Sequence, residues 1–442
     1  MRFTIRHIGL TGFWVLQGMV SFAAQAVIAA YFGATAMLDS YLVGVTLPTT
    51  IYMIISTALG PAAVVYFNQV KAREGDTAAF QSISGLLVLL GGSGIAMWIL
   101  LFTGADRLVT WLAPGLTDLA KGEAIRCLQI TSLSLPLLMM YSLLIGLLNA
   151  QHMFFRTTLA SILLVGLVPL PVLLGSQKSA GALAWGFNAG ALAACFLLFL
   201  VGVCKKQLRT GRIWWSDLRH ALSISLPPLG AAACAQALWL AERYFASSLD
   251  PGTISALNYG QRIVNFIGGG LTFATSALML PYLSAWVEAG ERDEAANFNR
   301  KAMIGTTICA VAGVILILGS ADWLVRLAYA RGHFDALAIA STTTAVWSYL
   351  GIFVAYLYGA IITPNALAMN EKQLILLSSA VPLMSYLLLT PVLVEIFGYR
   401  GLPLSASIAF MLGLVWSVIG MWRKHSDFYW KPGRQTISAA RM

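Results

Sequence analysis

Apolar stretches recur along the whole chain, and short polar segments separate them. Each stretch covers about 20 residues or more, which is the length that a helix needs to cross a hydrocarbon core of about 30 Å. The pattern predicts an all-α polytopic membrane protein with about twelve membrane-spanning helices. Their centres are expected near Gln17, Ile54, Leu89, Leu138, Val165, Ala191, Ala235, Phe273, Ile315, Ser348, Ser385 and Leu412.

Composition and charge support this interpretation. Of the 442 residues, 58% are hydrophobic and 10% are charged, whereas a soluble domain carries about 25% charged residues. The net charge of +10 is spread over many loops, which argues against a nucleic-acid partner. Arg2 and Arg6 precede an apolar run that continues to Phe32, long enough to remain as a span rather than be cleaved as a signal peptide. The positive-inside rule places both termini in the cytoplasm and supports an even number of spans.

A basic segment near the middle divides the chain into two halves. We expect an N-lobe over 1–204, a cytoplasmic linker over 205–220, a C-lobe over 221–423 and a cytoplasmic tail over 424–442. The halves resemble each other weakly, because charged segments follow both the second and the eighth span. In transporters with such parallel repeats, substrate sites lie between the lobes near the midplane.

No catalytic chemistry is apparent in the sequence. The five histidines are scattered singly, and there is no zinc-ligand spacing, phosphate-binding glycine loop or nucleophile elbow. No connection between spans is long enough to form a domain of its own. We therefore expect a protein that is not an enzyme, with no catalytic residues, no metal site and no cofactor.

Arg262 places a permanent charge in an apolar stretch that runs from Ile254 to Trp286. An arginine at the bilayer centre costs about 2.5 to 3.5 kcal/mol on insertion scales, so such residues usually face a wet cavity and hold a partner or ligand. An anionic ligand is therefore expected. Glu242 and Arg243 are adjacent in the seventh span, but consecutive helical residues point about 100° apart and are not expected to pair.

Short motifs occur in a constant order along nearly the whole chain. Those of the first half are Phe32-Gly33-Ala34, 38–41, 47–48, 113–115, and 148–150 with Phe155. Those of the second half are 245–249, Gly252 with 255–262, 280–284, 331–335 and 401–405. Together they resemble the MurJ (MviN) lipid II flippases of the multidrug/oligosaccharidyl-lipid/polysaccharide exporter superfamily.

The resemblance implies two six-helix lobes around a central cavity and an alternating-access flippase. Its substrate would be an undecaprenyl-pyrophosphate-linked oligosaccharide, either lipid II or an exopolysaccharide repeat unit, and arginine suits the diphosphate because its planar fork binds phosphate oxygens in pairs. A coupling monovalent cation or the membrane potential would supply energy. The lipid bilayer and envelope glycan-synthesis proteins are the further expected partners, and the resemblance implies a multi-pass protein of the bacterial inner membrane.

The sequence also departs from that family. Where the flippases carry cavity arginines in their first two spans, this chain has Gly18, Ala24 and Tyr52. The last two spans of the family, associated with the lipid tail, are also missing. A lipid-linked glycan other than lipid II is therefore an alternative substrate.

We predict six site residues. Arg262, Arg243, Asn258 and Gln236 are the expected substrate-binding residues, and Asp39 and Glu242 are assigned to coupling or gating. Structural alternatives are an interlobe pair for Glu242 and Arg243, and an N-cap of the second span for Asp39. For the whole protein, the alternatives are a cation-coupled drug exporter of the same superfamily and an envelope-synthesis scaffold that transports nothing.

Overall fold

The computed structural model describes residues 2–175, 179–202, 213–289 and 291–425, and these ranges contain helices and short connections but no strand. The helices of the first half are α1 (Arg2–Phe32), α2 (Ala36–Thr103), α3 (Ala105–Leu112), α4 (Asp118–Ser132), α5 (Leu135–Ala150), α6 (Phe154–Gly166), α7 (Leu170–Leu174) and α8 (Ala180–Gly202). Those of the second half are α9 (Trp215–Ser247), α10 (Thr253–Ala289), α11 (Arg292–Tyr329), α12 (Ala336–Ser348), α13 (Leu350–Ala368), α14 (Lys372–Phe397) and α15 (Gly401–His425). The all-α prediction is confirmed.

Every predicted span centre falls within a helix. Several spans are built from two pieces, such as α4 with α5, which are bent by 46° relative to each other. Within the described ranges, six helices, or eight when each bent pair is taken as one span, are individually long and apolar enough to cross a membrane. Two of the six hold two predicted spans each, namely α2 and the stretch 373–425, which covers α14 and α15.

The second and third spans are two helical arms that meet at a kink, without a longer loop between them. α2 runs for 68 residues and departs from helical geometry at Gly75, where φ is +84°. Glycine adopts that left-handed conformation without the steric penalty of a side chain, so the chain bends at this position between two helical arms. Pro48 and Pro61 lie inside helical stretches of the same element.

The two ends of the molecule are named by the predicted orientation, with the termini in the cytoplasm, and the buried apolar residues divide it into an external and a cytoplasmic half. At the external end, one cluster joins both lobes and includes Phe32 and Leu38 of the first lobe with Leu257 and Tyr329 of the second. In the cytoplasmic half, Tyr66 belongs to a cluster of the first lobe and its immediate continuation into α9, whereas Met279 belongs to a separate cluster of the second lobe. The lobes are therefore packed together externally and have separate cores towards the cytoplasm.

α9 connects the two lobes. Its first turns pack on the first lobe, where Asp217 forms a 3.0 Å salt bridge with Arg73 and His220 lies 2.9 Å from Gln69. The segment Trp215–Ser223 is bent by 56° from Pro228–Ser247. Of the predicted linker, residues 205–212 lie outside the described residues and 215–220 are helical, and most of the predicted tail, 426–442, also lies outside them.

Candidate functional site: a polar cavity between the lobes

A cavity of about 250 Å³ lies between α1 of the first lobe and α10 of the second. Its lining is polar on the α10 side and mixed on the α1 side. The lining residues are Gly18, Ser21, Phe22, Asn258, Gln261, Arg262, Asn265 and Phe266. Both lobes therefore line the chamber, and five of its eight lining residues belong to α10.

The cavity lies deep within the predicted membrane region. Arg262 follows the external start of α10 by nine residues, and at 1.5 Å per residue this corresponds to about 14 Å along the helix axis. Phe22 precedes the external end of α1 by ten residues, or about 15 Å. With the external ends of both helices at the membrane surface, these distances correspond to about half of a hydrocarbon core of about 30 Å.

The Arg262 side chain is exposed although it lies inside the protein, because it faces this cavity. Its neighbours Ile263 and Val264 on α10 are buried. Among the described residues, no hydrogen-bond acceptor or carboxylate pairs with the guanidinium. The cavity lining likewise carries one formal charge, that of Arg262, and no carboxylate. The chamber can therefore receive an anionic group.

Three carboxamides share the cavity with Arg262. Asn258, a predicted site residue, is buried and lines it, while Gln261 and Asn265 line it without having been predicted as site residues. Positions 258, 261, 262 and 265 are three, four and seven residues apart and therefore lie along one helix face. That spacing, measured from Asn258, was the signal in the sequence that could have identified the two missed residues.

The three positions at which the resembled family carries arginines lie in different environments. Gly18 lines the cavity, so the arginine that it replaces is absent from the chamber. Ala24 is buried in packing at 5% exposure, and Tyr52 packs against Tyr141 with ring centroids 6.2 Å apart. One substitution of the three thus changes the charge of the cavity described here.

Asp39 lies above the cavity and binds across the lobes. Its carboxylate accepts hydrogen bonds from the backbone N–H of Gly252 (2.6 Å), the backbone N–H of Ser255 (2.7 Å) and the Ser255 hydroxyl (2.5 Å). It therefore caps the start of α10, where the unpaired N–H groups and the helix dipole favour a negative charge. The alternative of an N-cap at the second span is wrong, because Thr35 occupies the N-cap position of α2.

Three more hydrogen bonds between the lobes surround this contact. The Tyr259 hydroxyl donates to the Gly33 carbonyl (3.3 Å), the His333 N–H donates to the Ala30 carbonyl (2.9 Å), and the Gly115 N–H donates to the Ser247 hydroxyl (3.3 Å). We call these contacts, together with that of Asp39, the external latch.

The external latch depends on close backbone approach at a glycine. A Cβ on Gly252, whose φ is +90°, would collide with the Ala34 carbonyl. The left-handed backbone and the missing side chain are both required there, which explains why a glycine begins the turn into α10.

Glu242 lies away from the cavity, inside the second lobe. It is 1% exposed, and its carboxylate accepts a 2.8 Å hydrogen bond from the Tyr349 hydroxyl of the connection between α12 and α13. A buried carboxylate needs hydrogen-bond donors to offset its lost hydration. This partner is 107 residues away in the sequence, and no local pattern pointed to it.

Arg243 and Gln236 are not brought into the cavity. Arg243 donates a 3.2 Å hydrogen bond to the Ile254 carbonyl in the first turn of α10, so it joins α9 to α10. Gln236 is half-buried on α9 and does not line the chamber. Within the described part of the chain, Glu242 and Arg243 form no ion pair with each other. This agrees with the expectation that adjacent helical residues point in different directions.

The sequence matches a family model described as "Lipid II flippase MurJ" over residues 28–439. The chain belongs to the MurJ family. A relative from Burkholderia cenocepacia, named lipid II flippase MurJ, is 24% identical over 440 residues, covering 96% of this chain and 84% of the relative.

Solved structures of the family and its superfamily share the fold. A lipid II flippase MurJ in an inward closed conformation aligns with a TM-score of 0.80 and 18% identity, over 95% of this chain and 89% of that one. An inward-facing MATE family multidrug resistance transporter of the MOP superfamily aligns with a TM-score of 0.75 and 15% identity, over 96% and 98%. The predicted fold of two six-helix lobes is therefore confirmed.

Proposed function

We propose that this protein is a flippase that moves a polyprenyl-diphosphate-linked oligosaccharide between the leaflets of the bacterial inner membrane. The substrate class includes lipid II and exopolysaccharide repeat units linked to undecaprenyl diphosphate. The observation that carries the proposal is the unpaired Arg262 guanidinium in an interlobe cavity whose lining has no carboxylate. Membership of the MurJ family supports the same substrate class.

The charge of the cavity fits the headgroup. A diphosphate and its sugar need a hydrated passage, while the polyprenyl tail can stay in the hydrocarbon. Arginine presents a planar set of donors that matches phosphate oxygens, and in a chamber of low dielectric such charge-assisted hydrogen bonds are strong. A cationic drug would meet one positive charge and no negative charge on this lining.

The distribution of interlobe contacts supports alternating access. The external latch joins the lobes at one end, and a shared apolar cluster lies beside it, whereas the lobes have separate cores towards the cytoplasm. This arrangement corresponds to a state closed on the external side. In our proposal, opening of the external latch exposes the cavity to the other leaflet.

For energy coupling we propose that the membrane potential or a monovalent cation drives the cycle, with Glu242 as the candidate acidic group. The support is its burial at 1% exposure with one tyrosine hydroxyl as a donor. One elementary charge moving through 100 mV supplies about 2.3 kcal/mol, enough to bias two conformations about fiftyfold.

Reconstitution in liposomes tests the proposed function. The purified protein would be offered lipid II, a second polyprenyl-diphosphate-linked glycan and a cationic drug in separate vesicles, and translocation would be measured with and without a membrane potential. We expect transport of at least one glycolipid and none of the drug. Transport of the drug alone would favour the exporter alternative, and transport of neither would favour the scaffold.

A further inference from the structure

The carboxamides beside Arg262 offer more than a diphosphate can use. A diphosphate at neutral pH has only hydrogen-bond acceptors, so it can bind the N–H groups of these amides but not their carbonyl oxygens. Yet Asn258, Gln261 and Asn265 all face the same chamber, on the same side of α10. Their carbonyl oxygens require donors, which a diphosphate at neutral pH does not provide.

The need for a hydrogen-bond donor is clearest at Asn265. Its Oδ1 atom is buried and accepts no hydrogen bond from any described residue. Buried carbonyl oxygens in proteins are almost always paired, and an exception at a cavity wall marks a place where an outside donor is accommodated. The hydroxyl and acetamido groups of a sugar are donors of that kind.

The remaining lining suits a sugar ring as well. The Phe22 and Phe266 rings lie 5.2 Å apart between centroids at the edge of the chamber, one from each lobe. Aromatic faces pack against the C–H faces of sugar rings, while amides bind the hydroxyls at the ring edge. Asn258 and Asn265 are separated by about 10 Å along the helix axis, which spans a diphosphate and one sugar.

We propose that Asn258, Gln261 and Asn265 form a sugar-binding face that recognises the first sugar next to the diphosphate, through its hydroxyl or acetamido donors. Arg262 then binds the diphosphate common to all such lipids, and the amides select the glycan. This inference rests on the proposed function and deepens it, because it separates headgroup binding from sugar recognition on one helix.

The test compares two ligands on each variant. Affinities for a polyprenyl diphosphate without sugar, and for the same lipid carrying one N-acetylated hexose, are measured on the full chain in nanodiscs. Asn265→Leu and Gln261→Met remove hydrogen bonding with little change of volume. Gln373→Leu, at an exposed position at the start of α14, is the matched control.

We expect the wild type to bind the sugar-bearing lipid more tightly than the bare one. In Asn265→Leu, affinity for the sugar-bearing lipid should fall about tenfold, the typical worth of one hydrogen bond, while affinity for the bare lipid changes less than about twofold. Gln261→Met should act in the same direction, and Gln373→Leu should leave both affinities unchanged. Retained binding of the bare lipid also shows that each variant is folded.

Three results would overturn the inference. Equal affinities of the wild type for the two lipids would show that the sugar is not bound, and an unchanged ratio in both amide variants would show that these amides do not bind it. Parallel loss of both ligands would make the amides structural supports of Arg262. Wild type that binds neither lipid would instead overturn the proposed function, so the two failures are distinguishable.

Discussion

Two charged side chains at α10, buried Asp39 and cavity-facing Arg262, differ in how their charge is satisfied. The Asp39 carboxylate accepts three hydrogen bonds from the first turn of α10. The Arg262 guanidinium, about two turns further along the same helix, has no protein partner among the described residues. A fully paired buried charge holds structure together, whereas an unpaired one in a cavity is available to a ligand. The comparison assigns Asp39 to the external latch and Arg262 to the substrate.

The largest expected effect is that of removing the unpaired charge. Arg262→Gln should lower glycolipid translocation at least about thirtyfold, because a bidentate charge-assisted contact with the diphosphate is lost in a region of low dielectric. Arg326→Gln is the control, since Arg326 is exposed and pairs with Asp322 at 2.6 Å on α11; it should change transport less than about twofold. The measurement is translocation in proteoliposomes, with melting temperature as the check on folding. Full activity of Arg262→Gln would contradict the assignment.

Removing the paired charge should change the conformation rather than the binding chemistry. Asp39→Asn weakens the hydrogen bonds that join the lobes, and loss of a charged partner typically costs about 1.5 to 3 kcal/mol, so externally open states should gain about tenfold in population. Ser255→Ala removes one hydrogen bond and should have a smaller effect.

This change can be observed as a distance between the external ends of the lobes. Spin labels on Thr35 and Asp250, both exposed, report that separation. A longer component should appear in Asp39→Asn. If its distance distribution matched that of the wild type, the external latch would not control the opening of the lobes.

A second positive charge in the cavity should strengthen the binding of a diphosphate. Gly18→Arg places a cation in the cavity opposite Arg262, where an added Cβ would lie 3.3 Å from the Phe266 ring, which must shift slightly. Binding of a sugar-free polyprenyl diphosphate should tighten about fivefold, from about 1 kcal/mol of added attraction, and the gain should shrink at high salt. Weaker binding of the lipid by this variant would show that the headgroup does not lie between these two positions.

The smallest effect concerns an ion pair far from the cavity. The pKa of Glu371 is lowered by hydrogen bonds from Lys424 and His425, at 2.6 Å and 3.0 Å, near the cytoplasmic end of α15. A lowered pKa adds stability above the ordinary value of 4.5, and this stability is lost as the pH falls through the lowered pKa. The contribution should be below about 1 kcal/mol for so open a pair.

The contribution of this ion pair to stability can be measured from melting curves of the wild type and Glu371→Gln. The difference between their melting temperatures should be present at pH 7 and should shrink as the pH falls through the lowered pKa of Glu371. Transport at neutral pH should be the same for both proteins. A difference that grew as the pH fell would reverse the sign of the argument.

The sequence predicted those features that depend on local composition. Span centres follow from apolar length, and the chamber at Arg262 follows from the cost of an arginine in an apolar helix. The hydrogen-bond partners of Asp39 could not be predicted in this way, because Gly252 and Ser255 are more than 210 residues away in the sequence. The direct junction of the second and third spans at the Gly75 kink was also missed, because charged residues next to a glycine are equally typical of a longer loop.

The most direct test of the central claim is equilibrium binding of a sugar-free polyprenyl diphosphate to the protein in nanodiscs. The wild type should bind it, Arg262→Gln should bind it at least about tenfold more weakly, and Arg326→Gln should match the wild type. Equal affinity of wild type and Arg262→Gln would contradict the account, because the unpaired guanidinium would then not be the diphosphate site.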